Sequence, residues 1–321
     1  MLKDLTLSQA LDGYTLDMGA GNYSDNTLLL YRKMLAVLTR YLSDPPITSI
    51  TPDKLSEFMV YLKTDYIPFR YGGSKSPVGP SCVDNYWKAI RSFYKWAGKP
   101  PLNLPNISTH LVRPRYKHPE IAPYSKEQIN TLLSACDSSV QVNRTGCKPY
   151  HLPRNSYGLR DKAIILTLYD TGLRVGELCR AEIRDLNLDT GMLNIAPYGT
   201  GRKTKPRVVF LGKSTKRAVW LYLADRNSKG ITSLDDKVFP IHQSGVRRLM
   251  KELQRKTGID KVHPHRFRHT FAIEYLRNGG DVFTLQRLLG HSDLSMVKHY
   301  IDLADSDAAN AHRKASPADR L

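Results

Sequence analysis

Six prolines between residues 100 and 123 (Pro100, Pro101, Pro105, Pro114, Pro119 and Pro123) set the first limit on how this chain can fold. Each lacks an amide N–H, fixes its own φ and disfavours helix at the residue before it. No single helix can cross the stretch, so the residues before it fold apart from those after it. The length agrees: 321 residues, at one domain per roughly 150, gives two domains. The stretch holds the basic run Arg113-Pro-Arg-Tyr-Lys-His118. It reads either as an extended interdomain linker lying on something anionic or as a solvated Pro-rich loop.

Charge points to the partner. There are 48 Lys and Arg against 30 Asp and Glu, a formal net charge of +18. Such an excess suits a polyanion: DNA, RNA or an anionic membrane surface. It is unevenly placed, with 12 basic against 9 acidic residues in 1–112 and 36 against 21 in the remainder. An apolar content of 41% is that of a globular protein and argues against extensive disorder. The longest strongly apolar run, Ala163 to Tyr169, is far short of the roughly 20 residues of a membrane span. No secretory signal is visible at Met1-Leu-Lys-Asp-Leu. Cys82, Cys136, Cys147 and Cys179 are scattered without a C-x-x-C pair, which argues against a disulfide scaffold or a Cys-rich zinc module. A cytoplasmic, nucleic-acid-facing protein with no membrane association is expected.

Periodicity makes the first part all-α. Thr27 to Leu42 sets Leu28, Tyr31, Met34, Leu35, Leu38 and Leu42 at helical spacing, with Ser24 or Asp25 as its cap. Thr51-Pro-Asp-Lys opens a helix through Phe58, Val60 and Leu62, and Cys82 to Trp96 carries an aromatic stripe that reads as core. The second part is mixed. Helices are expected over 160–169, 175–181, 214–226, 243–257, 265–278, 282–289 and 293–303. Met192–Ala196 and Arg207–Leu211 read as strands of a hairpin around the basic loop from Tyr198 to Pro206. One short antiparallel sheet among many helices makes an α+β domain.

The pattern His-x-x-Arg can place two phosphate-gripping side chains on one helix face. It occurs four times, at His110/Arg113, His151/Arg154, His263/Arg266 and His265/Arg268. The first two lie in Pro-rich loops. Pro264 suits the first helical position, which leaves His263 outside and only His265/Arg268 within the helix. A solvated basic helix face would explain that pair alone. Further on, Gly290 suits a left-handed helix end and Ser292 an N-cap. Tyr300, in an apolar stripe with Met296 and Val297, would by itself be a core tyrosine.

Together, Thr171-Gly-Leu-Arg-Val-Gly-Glu-Leu178, His265-Arg-Phe-Arg-His269, Leu288-Leu-Gly-His291 and Tyr300 resemble the tyrosine recombinase (phage integrase) family, in its simple two-domain, Xer-type form. The resemblance extends over essentially the whole chain. It implies an all-α, SAM-like core-binding DNA-binding domain over 1–107, a basic Pro-rich linker over 108–121, and a mainly α, α+β catalytic domain over 122–321. It implies a site-specific recombinase or integrase that cuts and rejoins DNA strands through a 3′-phosphotyrosyl intermediate, with no metal and no nucleotide cofactor. The partners it implies are double-stranded DNA with a specific core site and a homotetramer on paired sites. The free chain would be a monomer or weak dimer.

The implied roles agree with the chemistry of the side chains. Tyr300 would be the nucleophile; a free phenol has a pKa of about 10 and needs its proton taken or the phosphate polarised. Arg174 and Arg268 would clamp the non-bridging oxygens, where the guanidinium fork fits. His265 would assist the Tyr300 proton or bond the phosphate, and His291 would donate a further hydrogen bond. Glu177 suits an orienting carboxylate rather than a base. The family's hairpin lysine is matched imperfectly: alignment from the first glycine reaches Thr200, and counting back from the second strand reaches Arg202. Lys203 is chosen, with Lys205 second. Residues 136–157 form a longer insertion than is usual, whose Cys136, Cys147 and His151 fit no common zinc spacing. The simple two-domain form is expected, without a further arm-site domain before about Thr6. A catalytically silent DNA-binding regulator and a type IB topoisomerase or telomere resolvase are the alternatives; the intact set of five side chains speaks against the first.

Overall fold

The computed structural model describes residues 4–21, 23–69, 76–116, 122–137, 141–142, 150–151, 156–197, 206–228, 230, 233–290, 316 and 318, with the backbone alone for 141–142, 150–151 and 156. They fall into two compact units that divide between Tyr116 and Ala122.

Among the described residues the first unit is built of four α-helices. α1 (Leu7–Ala20) starts at Thr6, whose hydroxyl accepts from the Gln9 amide while the Gln9 side chain accepts from the Thr6 amide; this reciprocal pair satisfies two amides that a helix start leaves without partners. The sequence reading did not find α1. Its buried face is Leu7, Ala10, Tyr14 and Met18, while Leu16 is 76% exposed, so the apolar stripe is blurred. α2 (Asp25–Leu42) is capped by Ser24. α3 (Pro52–Thr64) starts at Thr51 and buries Leu55, Phe58, Met59 and Leu62. Val60, counted with its apolar face in the sequence, points outward at 57% exposure. α4 (Pro80–Ala97) supplies the centre of the core. Its Phe93 meets Tyr14 edge-on at 5.5 Å, its Tyr86 meets Phe58 at 6.0 Å, and Ser92 accepts from the Tyr14 hydroxyl at 2.7 Å.

The start of the Pro-rich stretch is part of this unit. Trp87 of α4 donates its indole N–H to the Leu111 carbonyl at 3.1 Å, and Leu111 is buried. Arg113 closes on the fully buried Asp84 through Nε at 2.8 Å and Nη2 at 3.3 Å, and stands over the Trp87 ring. Lys88 reaches the same carboxylate at 2.7 Å. The Arg113 guanidinium beside it lowers the Asp84 carboxyl to about 2. Leu111 and Arg113 thus pack on the first unit, and the Arg113 side chain, paired with Asp84, remains 59% exposed.

The second unit packs helices around α6 (Ser156–Thr171), whose Ala163, Ile164, Ile165 and Leu168 are fully buried. α5 (Lys126–Asp137) precedes it, and between them Gln141–Val142 (β1) pairs antiparallel with Tyr150–His151 (β2) inside the insertion. After α6 come the one-turn α7 (Val175–Leu178) and a three-stranded antiparallel sheet of β3 (Leu186–Asn187), β4 (Met192–Ile195) and β5 (Arg207–Phe210). The hairpin was expected; the short β3 was not, and α7 ends three residues before the expected Ala181. In β4 Leu193 and Ile195 are buried while Met192 is exposed, the alternation of a one-sided sheet. α8 (Lys213–Asn227), α9 (Gln243–Thr257), α10 (Pro264–Arg277) and α11 (Val282–Leu289) complete the described part. The helix expected over 293–303 lies outside the described residues.

Because Leu111 and Arg113 belong to the first unit, a fragment of residues 1–116 is expected to be more stable than one of 1–107. Burial of Leu111 alone contributes roughly 2 kcal/mol. Urea titration of the two fragments checks this; equal midpoints would show that residues 108–113 add nothing to the unit.

Candidate active site

The site is assembled where α6 ends. Gly172 takes φ +61°, and a Cβ there would lie 2.5 Å from the Phe271 ring, so the turn needs glycine. It buries Leu173 and sets Arg174 at the N-terminus of α7. Four residues make a weak helix, and a single side chain holds this one. Glu177 accepts from the Arg174 amide at 2.8 Å through Oε2 and from Arg174 Nη1 at 3.1 Å through Oε1.

The same carboxylate meets a second arginine. Arg207, the first residue of β5, donates Nη1 to Oε1 at 2.9 Å and Nη2 to Oε2 at 2.7 Å, a parallel two-bond fork. Both side chains are buried, at 6% exposure for Arg207 and 1% for Glu177. Burial alone would raise the Glu177 carboxyl, but the Arg207 fork and Arg174 outweigh it and hold the group at about 2. Glu177 is therefore ionised at neutral pH, with both carboxylate oxygens engaged by the two arginines and the Arg174 amide.

Arginines also bind the end of α11. Arg207 Nε donates to the Leu288 carbonyl at 2.6 Å, and Arg268 Nη2 donates to the Leu289 carbonyl at 2.6 Å. Carbonyls in a last helical turn have no partner within the helix, and cations suit them. Arg268 Nη1 goes to the Gly172 carbonyl at 2.7 Å, which ties α10 to the turn before Arg174. Gly290 then closes α11 at φ 64°, the left-handed conformation expected of it.

α10 starts as the sequence suggests. Pro264 occupies its first turn, and His263 is the cap, accepting from the Arg266 amide at 3.1 Å through Nδ1. His265 lies inside the helix with its side chain open to solvent, 4.4 Å from the edge-on ring of His269. Partial desolvation lowers its pKa below the ordinary 6.5, and the positive charges of Arg268, His263 and Arg174 add to this. His263/Arg266 has another purpose: Arg266 holds the Ala122 carbonyl at 2.9 Å and the Asp260 carbonyl at 2.7 Å, over the Tyr124 ring at 4.0 Å.

Thus Arg174, Glu177, His265 and Arg268 are brought together around one turn, while Lys203, Lys205, His291 and Tyr300 lie outside the described residues. Sequence reasoning missed Arg207. A signal existed, since Arg207, Val209 and Leu211 alternate, and Val209 and Leu211 are buried. The period of two turns Arg207 inward opposite Ile195, and an inward arginine calls for a buried acid. Among the described residues no three His, Cys, Asp or Glu side chains gather as a metal site, and no helix is long and apolar enough to cross a membrane.

Comparison with known proteins bears on this arrangement. A tyrosine recombinase XerC of Pelobacter propionicus is 37% identical over 236 residues, covering 72% of each chain. A tyrosine recombinase XerD of Oceanobacillus iheyensis is 28% identical over 306 residues, 92% of this chain and 93% of that one. In fold, the chain is similar to the Tn1549 transposon integrase in complex with transposon right end DNA, with a TM-score of 0.64 at 21% identity over 97% of this chain and 99% of that one. It is also similar to a lambda integrase dimer bound to a core site, with a TM-score of 0.67 at 16% identity over 93% of this chain and 78% of that one. The fold and the relatives define an enzyme of the tyrosine recombinase class, a site-specific DNA recombinase of Xer type rather than a silent regulator. The chain belongs to the Phage integrase family, which matches residues 124–307.

A carboxyl depressed in the folded state adds stability that is complete above its unfolded pKa and is lost as pH falls through the folded one. For Glu177 that window runs from 4.5 down to about 2. Urea midpoints measured from pH 6 to pH 3 should fall less steeply in Glu177→Gln than in the parent. Parallel curves would mean that Glu177 titrates normally.

Proposed function

We propose that Tyr300 attacks the scissile phosphate of a specific core site in double-stranded DNA, giving a 3′-phosphotyrosyl bond and a free 5′-hydroxyl. Arg174 and Arg268 neutralise the non-bridging oxygens, which is the main protein contribution to phosphoryl transfer. His265 takes the Tyr300 proton, His291 donates to the phosphate, and Lys203, with Lys205 as second choice, protonates the leaving 5′-oxygen. The covalent link conserves the bond energy for rejoining. The observation that carries this reading is Arg174 itself. A third of its side chain is exposed, at 36%, while the Glu177 that orients it is buried and anionic. Nη1 of the guanidinium is thus fixed on Glu177, while the side chain is open enough to solvent for a phosphate to reach it.

The first unit, with the segment up to the linker, would be the core-binding domain, and the second the catalytic domain. The second carries the larger positive excess, and α9 turns Arg247, Arg248, Lys251 and Arg255 outward along one face. Such a stripe suits a phosphate backbone. Four protomers on two paired sites would make the recombining assembly, with a monomer or weak dimer in the absence of DNA.

In the test the protein selects its own target. Nicked duplexes with a randomised core are incubated with the chain, covalent adducts are isolated, and their DNA is sequenced. One sequence should be enriched, Tyr300→Phe should give no adduct while binding the selected duplex normally, and Arg174→Ala should slow adduct formation by about 100- to 1,000-fold. An adduct in Tyr300→Phe would overturn the nucleophile.

The lowered pKa of His265 predicts its effect on rate. The neutral ring needed to accept a proton persists below pH 6.5, so the acidic limb of the cleavage profile should have its midpoint under 6.5. His265→Gln should remove that limb. A limb unchanged in the variant would assign it to another group.

A further inference from the structure

Arg207 is a buried, fully engaged side chain of the second unit that the reaction above does not use. Its three nitrogens go to two different elements: Nη1 and Nη2 to Glu177 on α7, and Nε to the Leu288 carbonyl at the end of α11. Its stem also packs on the residue after that helix, since a Cβ at Gly290 would lie 3.1 Å from Arg207 Cδ. Arg268 grips the next carbonyl, that of Leu289, from α10. Two arginines from separate elements therefore hold two consecutive carbonyls just ahead of Gly290 and His291.

We propose that Arg207 is a positioning residue for strand cleavage, setting Arg174 through Glu177 and the takeoff of the chain toward His291 through Leu288. The inference rests on the roles proposed above for Arg174 and His291. Charge burial argues for a directional purpose. Removing two ions from water costs more than packing two apolar side chains of the same size, so a buried pair is poor cement. What the pair supplies is angle. A planar fork on a carboxylate fixes the orientation of both groups, and the Nε bond fixes a third point. Arg207 is also the residue at which β5 leaves the loop that carries Lys203. A displacement of this strand acts on Glu177, and through it on Arg174, and on the end of α11 together, so both are set by one side chain.

The experiment measures adduct formation by the full chain on the duplex selected as above, at saturating protein, alongside affinity for that duplex. The variants are Arg207→Lys, which keeps the charge and loses the fork, and Glu177→Gln, which keeps the shape and loses the anion. Each is made alone and combined with Arg174→Ala. Displacements of about 1 Å cost up to about 100-fold in rate, so each single variant should slow cleavage roughly 10- to 100-fold with affinity changed less than about threefold. In the Arg174→Ala background the further loss should shrink to about threefold for Glu177→Gln. It should stay larger for Arg207→Lys, because Leu288 is released as well. The same fold-loss in both backgrounds for both variants would overturn the inference, because Arg207 would then act independently of Arg174. So would a lower final yield of adduct at an unchanged rate, the mark of a smaller folded fraction. Normal cleavage by Arg174→Ala would sink the site assignment itself. If Arg207→Lys does not fold, the Glu177→Gln pair of measurements decides between these outcomes.

Discussion

The second unit is organised by one buried carboxylate that stays ionised well below neutral pH. Glu177 lies in the apolar interior with two guanidinium groups on it, and their combined field holds it ionised far below neutral pH. Remove that anion and two cations are left facing each other beside a four-residue helix. The turn at Gly172, the short α7, the first residue of β5 and the end of α11 all converge on this one group. The rest of the domain core, from α6 to Phe267, is ordinary apolar packing that could be filled in many ways. The ion cluster cannot be substituted so freely, because its members must agree in direction as well as in volume.

Much of this is legible in the chain. The Pro-rich stretch divides it, and the helical stripes of α2, α3 and α4 are plain because their apolar residues recur on one face. Pro264 and His263 mark the start of α10, and Gly290 marks the end of α11. The features that escape a sequence reading do so for physical reasons. α1 mixes an exposed Leu16 with a buried Ala10, so its periodicity is weak. β3 has two residues and exists only through its pairing with β4. The pairing of Arg113 cannot be seen locally, because its partner, Asp84, is 29 residues away on α4.

The same limit explains the site. The family motifs give Arg174, His265 and Arg268 as separate points along the chain, and Glu177 sits one turn from Arg174, so its role can be read from helical spacing. Arg207 cannot be read that way. Its partner is 30 residues away and its second contact 81. Only the burial alternation of β5, together with the rule that inward charges are paired, points toward it.

The entry of the chain into the second unit has a mechanical meaning. Arg266 fixes the Ala122 carbonyl, the Tyr124 amide is bonded to the Thr270 hydroxyl at 2.9 Å, and both holds are on α10. The chain at Ala122 and Tyr124 is therefore held by side chains of one helix. That helix carries His265 and Arg268. Arg266 stands one residue from His265 and two from Arg268, and Thr270 stands two from Arg268, so a shift of Ala122 or Tyr124 bears on the same stretch of α10. Where the chain enters the second unit and where His265 and Arg268 point are thereby fixed by one helix, as a rein is fastened directly to the bit.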